Sequence, residues 1–211
     1  MSFLTFSVSF GYSGPMTAGV RERARLALRT EIAQAISIVF AERGFDEVTV
    51  EEAAGEVGIS RATFFRYFGS KEDAVLAAIE ASSIDYAAHV ESLPAVDGEN
   101  PWQLLHRAFK HALSQRDEHS ELERSRVRMI NSTVSLRTRM AQRRFAHEDA
   151  LTPILAARID APEAARTIAV TAFAALDLAW RRWAAGEEAT ISASLDHVFA
   201  QLLSANTLAV R

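Results

Sequence analysis

Between Thr49 and Lys71 the sequence TVEEAAGEVGISRATFFRYFGSK gathers hydroxyls, two guanidinium groups and an ammonium at short, regular intervals. Thr49, Ser60 and Thr63 offer hydroxyl donors. Arg61, Arg66 and Lys71 offer positive charge, and Phe65 and Tyr67 offer flat faces. Such a set suits binding a polyanion: arginine pairs with phosphates or with the edge of guanine, and hydroxyls and helix N-termini meet phosphate oxygens. It does not suit bond-breaking. The chain has no nucleophile elbow, no phosphate-binding glycine loop, no dinucleotide-binding glycine set and no zinc motif. His106 and His111 are five apart and project about 140° from one another on a helix, a poor metal pair. His147-Glu148-Asp149 has no second histidine beside it. No enzyme, no cofactor and no metal are expected.

The elements that would position these groups can be read locally. Thr49 with Glu52 fits a capping box and starts a two-turn helix over 50–56. Gly58 supplies a turn. Ser60 caps the next piece, 61–68, Gly69 breaks it, and Ser70 caps a longer helix over 71–92 that opens Lys-Glu-Asp. A first helix over 23–43 carries Ile32, Ala35, Ile36, Val39 and Phe40 as one apolar stripe. Val57, Ile59, Phe64 and Phe68 would fill the angle between the short helices, with Ala54 allowing close approach. That leaves Arg61, Ala62, Thr63, Phe65, Arg66 and Tyr67 on the outside, with no acid among them; Glu51, Glu52 and Glu56 sit on the preceding helix. This is a helix-turn-helix whose second helix would lie in a major groove of DNA.

The run TVEEAAGEVGISRATFFRYFGSKEDAV, residues 49–75, resembles the N-terminal signature of the tetracycline-repressor (TetR) family of transcriptional regulators. The resemblance implies a three-helix DNA-binding unit followed by a helical sensor. It implies that Thr49 meets a phosphate at the start of the first short helix. It places Ser60, Arg61, Ala62 and Thr63 against bases or adjacent phosphates, and makes Lys71 a backbone anchor. Phe65 stands where the family usually has Tyr, so a phosphate hydrogen bond gives way to van der Waals contact. Tyr67 stands where His is common and still donates. Ala53 replaces a larger aliphatic. The plainer reading of the same residues is structural: Phe64, Phe68 and even Phe65 as core, Thr49 and Ser60 as caps, Arg66 paired with an acid of the first or second helix.

Charge sets a constraint. The 211 residues carry a net charge of −4, with 21 Arg but Lys only at 71 and 110, and no cysteine. Residues 16–80 hold 8 basic and 11 acidic side chains, so any DNA contact has to be a small placed patch instead of bulk attraction. Arg21, Arg23, Arg25 and Arg29 form a second basic group at the head of the first helix, either an arm reaching phosphates or a solvated run. Without cysteine there is no disulfide and no thiol switch. The longest apolar stretch, 168–179, contains Asp177 and is shorter than the roughly 18 to 20 residues of a membrane span. A cytoplasmic protein with no membrane partner is expected. Residues 1–19 have no charged side chain. They are expected to lie outside the core, either ahead of a natural start at Met16 or as an arm with a short extended segment through 3–10.

The remainder fits sensing and dimerisation. The expected division is 20–70 for DNA binding and 71–211 for a ligand-binding and dimerisation domain, with 71–92 connecting. The whole is all-α with about nine helices, the later ones over 102–116, 120–132, 136–158, 161–185 and 189–206. The helix 161–185 is apolar nearly all round and, with the last helix, is expected to form half of an intermolecular four-helix bundle or a plain internal core. Trp102, His106, Phe109, Arg128, Asn131, Phe145, Phe173, Asp177 and Trp180 are candidate lining of an effector cavity, with His111 and Met129 near them. Asp177 needs a partner, such as an Arg of 120–158. The arginines at 124, 126, 128, 137, 139, 143 and 144 read as a helix face paired with Glu118, Glu121, Glu123, Glu148 and Asp149, or as an anion site. That spacing, with Trp180 beyond, bears a weaker resemblance to TetR members binding acyl-coenzyme A-like ligands. The expected function is a repressor, homodimeric through its last two helices, released from a palindromic double-stranded DNA operator by a small hydrophobic or acyl-type effector. An activator, or a helical ligand-binding protein with a vestigial helix-turn-helix, is the alternative.

Overall fold

The computed structural model describes residues 18–114 and 121–204. The leader at 1–17, Glu118, the start at 120 and the ends of the helices expected to reach 116 and 206 lie outside the described residues. The all-helical class holds throughout the described residues, with ten α-helices. In order they are α1 (Ala18–Arg43), α2 (Val50–Glu56), α3 (Arg61–Tyr67), α4 (Lys71–Ala81), α5 (Tyr86–Ser92), α6 (Pro101–Leu113), α7 (Glu121–Ser132), α8 (Val134–Ala156), α9 (Ala165–Ala184) and α10 (Ile191–Ser204). A 3-10 turn at Pro162–Ala164 precedes α9.

Besides small shifts, with α8 starting two residues earlier, α9 four later and α10 two later than expected, two departures have physical reasons. α1 is already helical at Ala18, the first described residue and five before the expected start, because residues 20–28 are rich in Arg, Ala and Leu, good helix formers that carry the helix past Gly19. The helix expected over 71–92 is divided. The Ser82 hydroxyl donates back to the carbonyls of Ala78 and Ile79 at 3.3 and 3.2 Å, and Asp85 then caps α5 by accepting from Ala88 N at 3.0 Å. Side chains that bond nearby backbone offer the chain a way out of the helix.

Two cores form. One holds Ile32, Ile36, Val39 and Phe40 of α1 with Phe64, Phe68, Ala74 and Val75. The other joins α5, α6, α8, α9 and α10 around Phe109, Phe173, Trp183 and Phe199. The first core also takes in Met129 at the end of α7 and Leu136 at the start of α8. The α7–α8 corner is therefore packed into the helix-turn-helix unit, and the two halves are joined at this corner as well as through α4.

Candidate nucleic-acid interface and effector cavity

Three caps hold the helix-turn-helix in place. Thr49 accepts from Glu52 N at 3.2 Å, while the Glu52 carboxylate accepts from Thr49 N at 2.8 Å and from its hydroxyl at 2.7 Å. The Thr49 backbone and side-chain bonds keep the Glu52 carboxyl below its usual pKa. Ser60 accepts from Thr63 N at 3.1 Å, and Ser70 from Asp73 N at 3.1 Å. Gly58 takes φ +76°, which lets Ile59 N reach back to Ala54 O at 2.9 Å. Phe64 and Phe68 are buried at 0% and 2% exposure. Arg61, Ala62, Phe65 and Arg66 are exposed, with Thr63 and Tyr67 half-buried.

The structure bears on three of these residues. Phe65 is not core: its ring is exposed, edge-on to Phe64 at 5.2 Å, with Arg61 above it at 5.0 Å. The acid pairing considered for Arg66 falls on Arg61, which meets Glu51. Arg66 lies over the Tyr67 ring at 5.2 Å and has no acid partner among the described residues. Lys71 is turned inward, away from the phosphate-anchor role. Its Nζ donates to Val48 O at 2.8 Å and to Phe45 O, and sits 4.6 and 5.2 Å from the ring centres of Phe45 and Phe40. The loop before α2 presents two carbonyls and the Phe45 face, and α1 adds the Phe40 face, which together draw the ammonium in. Lys71→Met is accordingly expected to lower stability by about 1.5–3 kcal/mol, the scale of hydrogen bonds to a charged group. Urea unfolding measures this, and the salt dependence of DNA binding should change by much less than one lost phosphate contact.

A cavity of about 290 Å³ lies between α4, α5, α7, α8 and α9. Of the expected lining, Asn131, Phe173, Asp177 and Trp180 face it. The rest do not. Phe109 is fully buried in the core against Tyr86 and Phe173. His106 stacks on Phe199 and contacts Asp196 at 2.7 Å, where Lys110 also donates. Trp102 packs on the same core. Arg128 bonds Ser125 Oγ at 2.9 Å and Ala184 O at 3.3 Å and pairs with Glu121. Phe145 is 53% exposed: it is rotated about 100° from Arg144 on α8. Residues missed as lining include Tyr86, Met140 and His147. Met140, Arg144 and His147 recur at i, i+4 and i+7, and that spacing is the signal that could have found them.

The cavity lining mixes apolar and cationic side chains. Ile79, Ile84, Val127, Ile130, Leu176 and Trp180 are among the apolar ones. Asp177 has its expected partner, Arg144, at 2.6 Å, and the same guanidinium reaches Glu148 at 3.1 Å. Arg126 pairs with Glu123 at 2.8 Å and Arg143 with Glu80 at 3.6 Å. Arg137 and Arg181 line the cavity with no acid partner among the described residues. Elsewhere in the run Arg124 donates to Trp183 O and Ala189 O at the end of α9 and Arg139 meets Asp73 at 3.5 Å, while Asp149 pairs outside the run, with Arg166.

His147 is half-buried, stacked on Phe173 at 5.7 Å. Burial first, and the Arg143 charge second, push its pKa down. The unfolded chain therefore binds a proton more readily than the folded one, so stability falls as pH drops through the ordinary imidazole range near 6.5. The urea midpoint is expected to fall between pH 7.5 and 5.5, and to fall less in His147→Phe.

Residues 32–78 match the family model for bacterial regulatory proteins of the tetR family. Residues 99–207, more than half of the chain, match the model for the MftR C-terminal domain. The chain is also 33% identical over 152 residues to the HTH-type transcriptional regulator TcmR of Streptomyces glaucescens. That alignment covers 69% of this chain and 66% of the relative, so just under two thirds of the relative's length is spanned.

Proposed function

Because the chain belongs to the tetR family of bacterial regulatory proteins, we propose that it is a sequence-specific DNA-binding transcriptional regulator, a repressor that leaves a palindromic operator when a small effector binds. The observation that carries this reading is α3: seven residues, capped by Ser60, anchored by buried Phe64, presenting Arg61, Ala62, Phe65 and Arg66 outward with no acid. Such a helix enters the major groove by its N-terminal end, where Arg61 and Thr63 would reach base edges. Residues 20–70 form the DNA-binding unit and 71–211 the sensing and dimerising one. The proposal assigns it no catalytic step.

A homodimer would form through α9 and α10, which leave Val170, Leu178 and Leu203 37–41% exposed on otherwise apolar helices. The effector would be a small hydrophobic or acyl-type molecule with an acidic end. The apolar lining suits its body, and Arg137 and Arg181 suit its charge. Its entry bears on two joints at once. Ile79 of α4 lines the cavity, and so do Ile130 and Asn131, next to Met129 in the DNA-binding core. A shift there changes the separation of the two α3 helices of a dimer, and half-sites one turn apart no longer fit. The reading places the protein in the cytoplasm with the DNA. No helix of the described residues is long and apolar enough to cross a membrane.

The test is a gel shift of the dimeric protein on DNA from upstream of its own gene. A shift that specific competitor removes and random competitor does not is the expected result. Arg61→Ala should lose about 1–3 kcal/mol of discrimination at one base position. No sequence-specific shift sinks the reading.

A further inference from the structure

The DNA-binding unit is short of usable positive charge. Residues 16–80 carry 8 basic side chains against 11 acidic, and several of the 8 are not free for phosphates. Lys71 is spent on backbone carbonyls and Arg43 pairs with Glu56, while Arg61, exposed beside Glu51, is assigned to base edges and not to phosphates. On α3 only Arg66 is left without an acid. Yet affinity for duplex DNA grows with the number of phosphates a protein neutralises.

The remaining cations stand together in the first three turns of α1. Residues 19–28 are exposed along their whole length. Arg21, Arg23, Arg25 and Arg29 face a single acid, Glu22, whose contact with Arg25 is loose at 3.8 Å with both side chains more than half exposed. Arg21 and Arg23 have no ion pair among the described residues. At about 100° per residue, Arg21, Arg25 and Arg29 form one stripe. The same side of α1 continues into Ile32, Ile36, Val39 and Phe40, which face the DNA-binding core. The stripe therefore runs on from the core-facing side of α1. Arg29 marks the join: its guanidinium is 5.5 Å from the ring centre of Phe68, the residue that ends α3. Arg23 projects roughly to the opposite side.

We propose that Arg21, Arg25 and Arg29 form a second DNA contact, a helical rail laid on phosphates that flank the bases read by α3. The proposal rests on the DNA-binding reading above. From Arg21 to Arg29 the helix rises about 12 Å, the length of three to four base pairs. The rail holds the backbone and reads no base. It supplies the attraction that α3 lacks, which reconciles an acidic unit with DNA binding.

The test is the salt dependence of binding to the upstream DNA, measured on the full chain by fluorescence anisotropy. Arg21→Gln/Arg25→Gln/Arg29→Gln is compared with Arg23→Gln, since glutamine keeps the helix propensity of arginine and circular dichroism checks the fold. The triple variant is expected to lower the slope of log K against log salt by about 0.9 per lost contact, about five for a dimer. It should weaken specific and random DNA by the same factor and lose hydroxyl-radical protection outside the half-sites. Arg23→Gln, on the far side, should keep the wild-type slope. A triple variant with the wild-type slope overturns the proposal. So does an Arg23→Gln that loses as much per charge, because bulk attraction then suffices. So does a triple variant that changes only the sedimentation of DNA-free protein, which would give this face to a protein partner beside Val20 and Leu28. Failure of the wild type to shift its DNA overturns the regulator reading itself and is seen separately.

Discussion

Phe64→Ala is expected to abolish DNA binding while leaving the sensor half folded. Phe64 has no exposed surface. Its ring packs edge-on to Phe65 at 5.2 Å and against Phe68 at 5.4 Å, in a core shared with α1 and α4. Truncating a fully buried phenylalanine costs about 3–5 kcal/mol through lost burial and the cavity left behind. A unit of this size has little stability in reserve, and the melting temperature of a small domain falls about 4–8 °C per kcal/mol. The second core, around Phe109, Phe173, Trp183 and Phe199, does not include Phe64. Thermal unfolding followed by circular dichroism is therefore expected to split into two steps. The first should be lowered by more than about 12 °C, and the second should stay near its wild-type position. The operator shift should disappear at a temperature between them. Phe64→Leu, which keeps most of the volume, should retain binding. A single unshifted transition in Phe64→Ala would show that α3 is not anchored through this ring.

The part of the fold written in local chemistry was legible. Three caps, the Gly58 turn and the burial pattern of Phe64 and Phe68 all act within a few residues of one another, and each appears where the spacing placed it. What depended on distant partners was not. Lys71 looks like a free cation until the loop 23–26 residues before it folds beneath its side chain. The division between α4 and α5 turns on whether Ser82 and Asp85 bond their own backbone or leave it to the helix, and sequence spacing does not decide that competition. The cavity was half legible for a similar reason. Asn131, Phe173, Asp177 and Trp180 were expected from type alone, a polar group among apolar ones. Phe145 has the right type but the wrong phase on α8, and His147 the right phase with a type that suggested metal. Side-chain chemistry nominates a lining residue; the rotation of each helix about its axis selects it.

That selection makes Arg144 the residue on which the sensor's chemistry turns, and Arg144→Leu is expected to uncouple the effector from the operator. Glu148 is buried, 2% exposed, and Arg144 is the cation beside it at 3.1 Å. The two are poorly aligned as a hydrogen bond, so the attraction is chiefly between charges. Removing one member of a buried pair costs about 3–5 kcal/mol because the other charge is left without compensation. Arg144 is about a third exposed and Asp177 more so, which puts the cost at the low end of that range. The double variant Arg144→Leu/Glu148→Leu replaces the pair with apolar volume and should recover most of the loss, a coupling that a double-mutant cycle in urea reads directly. The same double variant separates stability from recognition. It leaves α3 untouched, so its operator affinity should equal that of the wild type. It also removes the cation that holds Asp177 at 2.6 Å on the cavity wall, and a freed carboxylate in a space suited to an acidic effector repels it. Effector-induced release of DNA should therefore remain lost in a protein whose stability is restored. A double variant that regains both would reduce Arg144 to a counter-ion for Glu148, and would leave Arg137 and Arg181 to hold the effector.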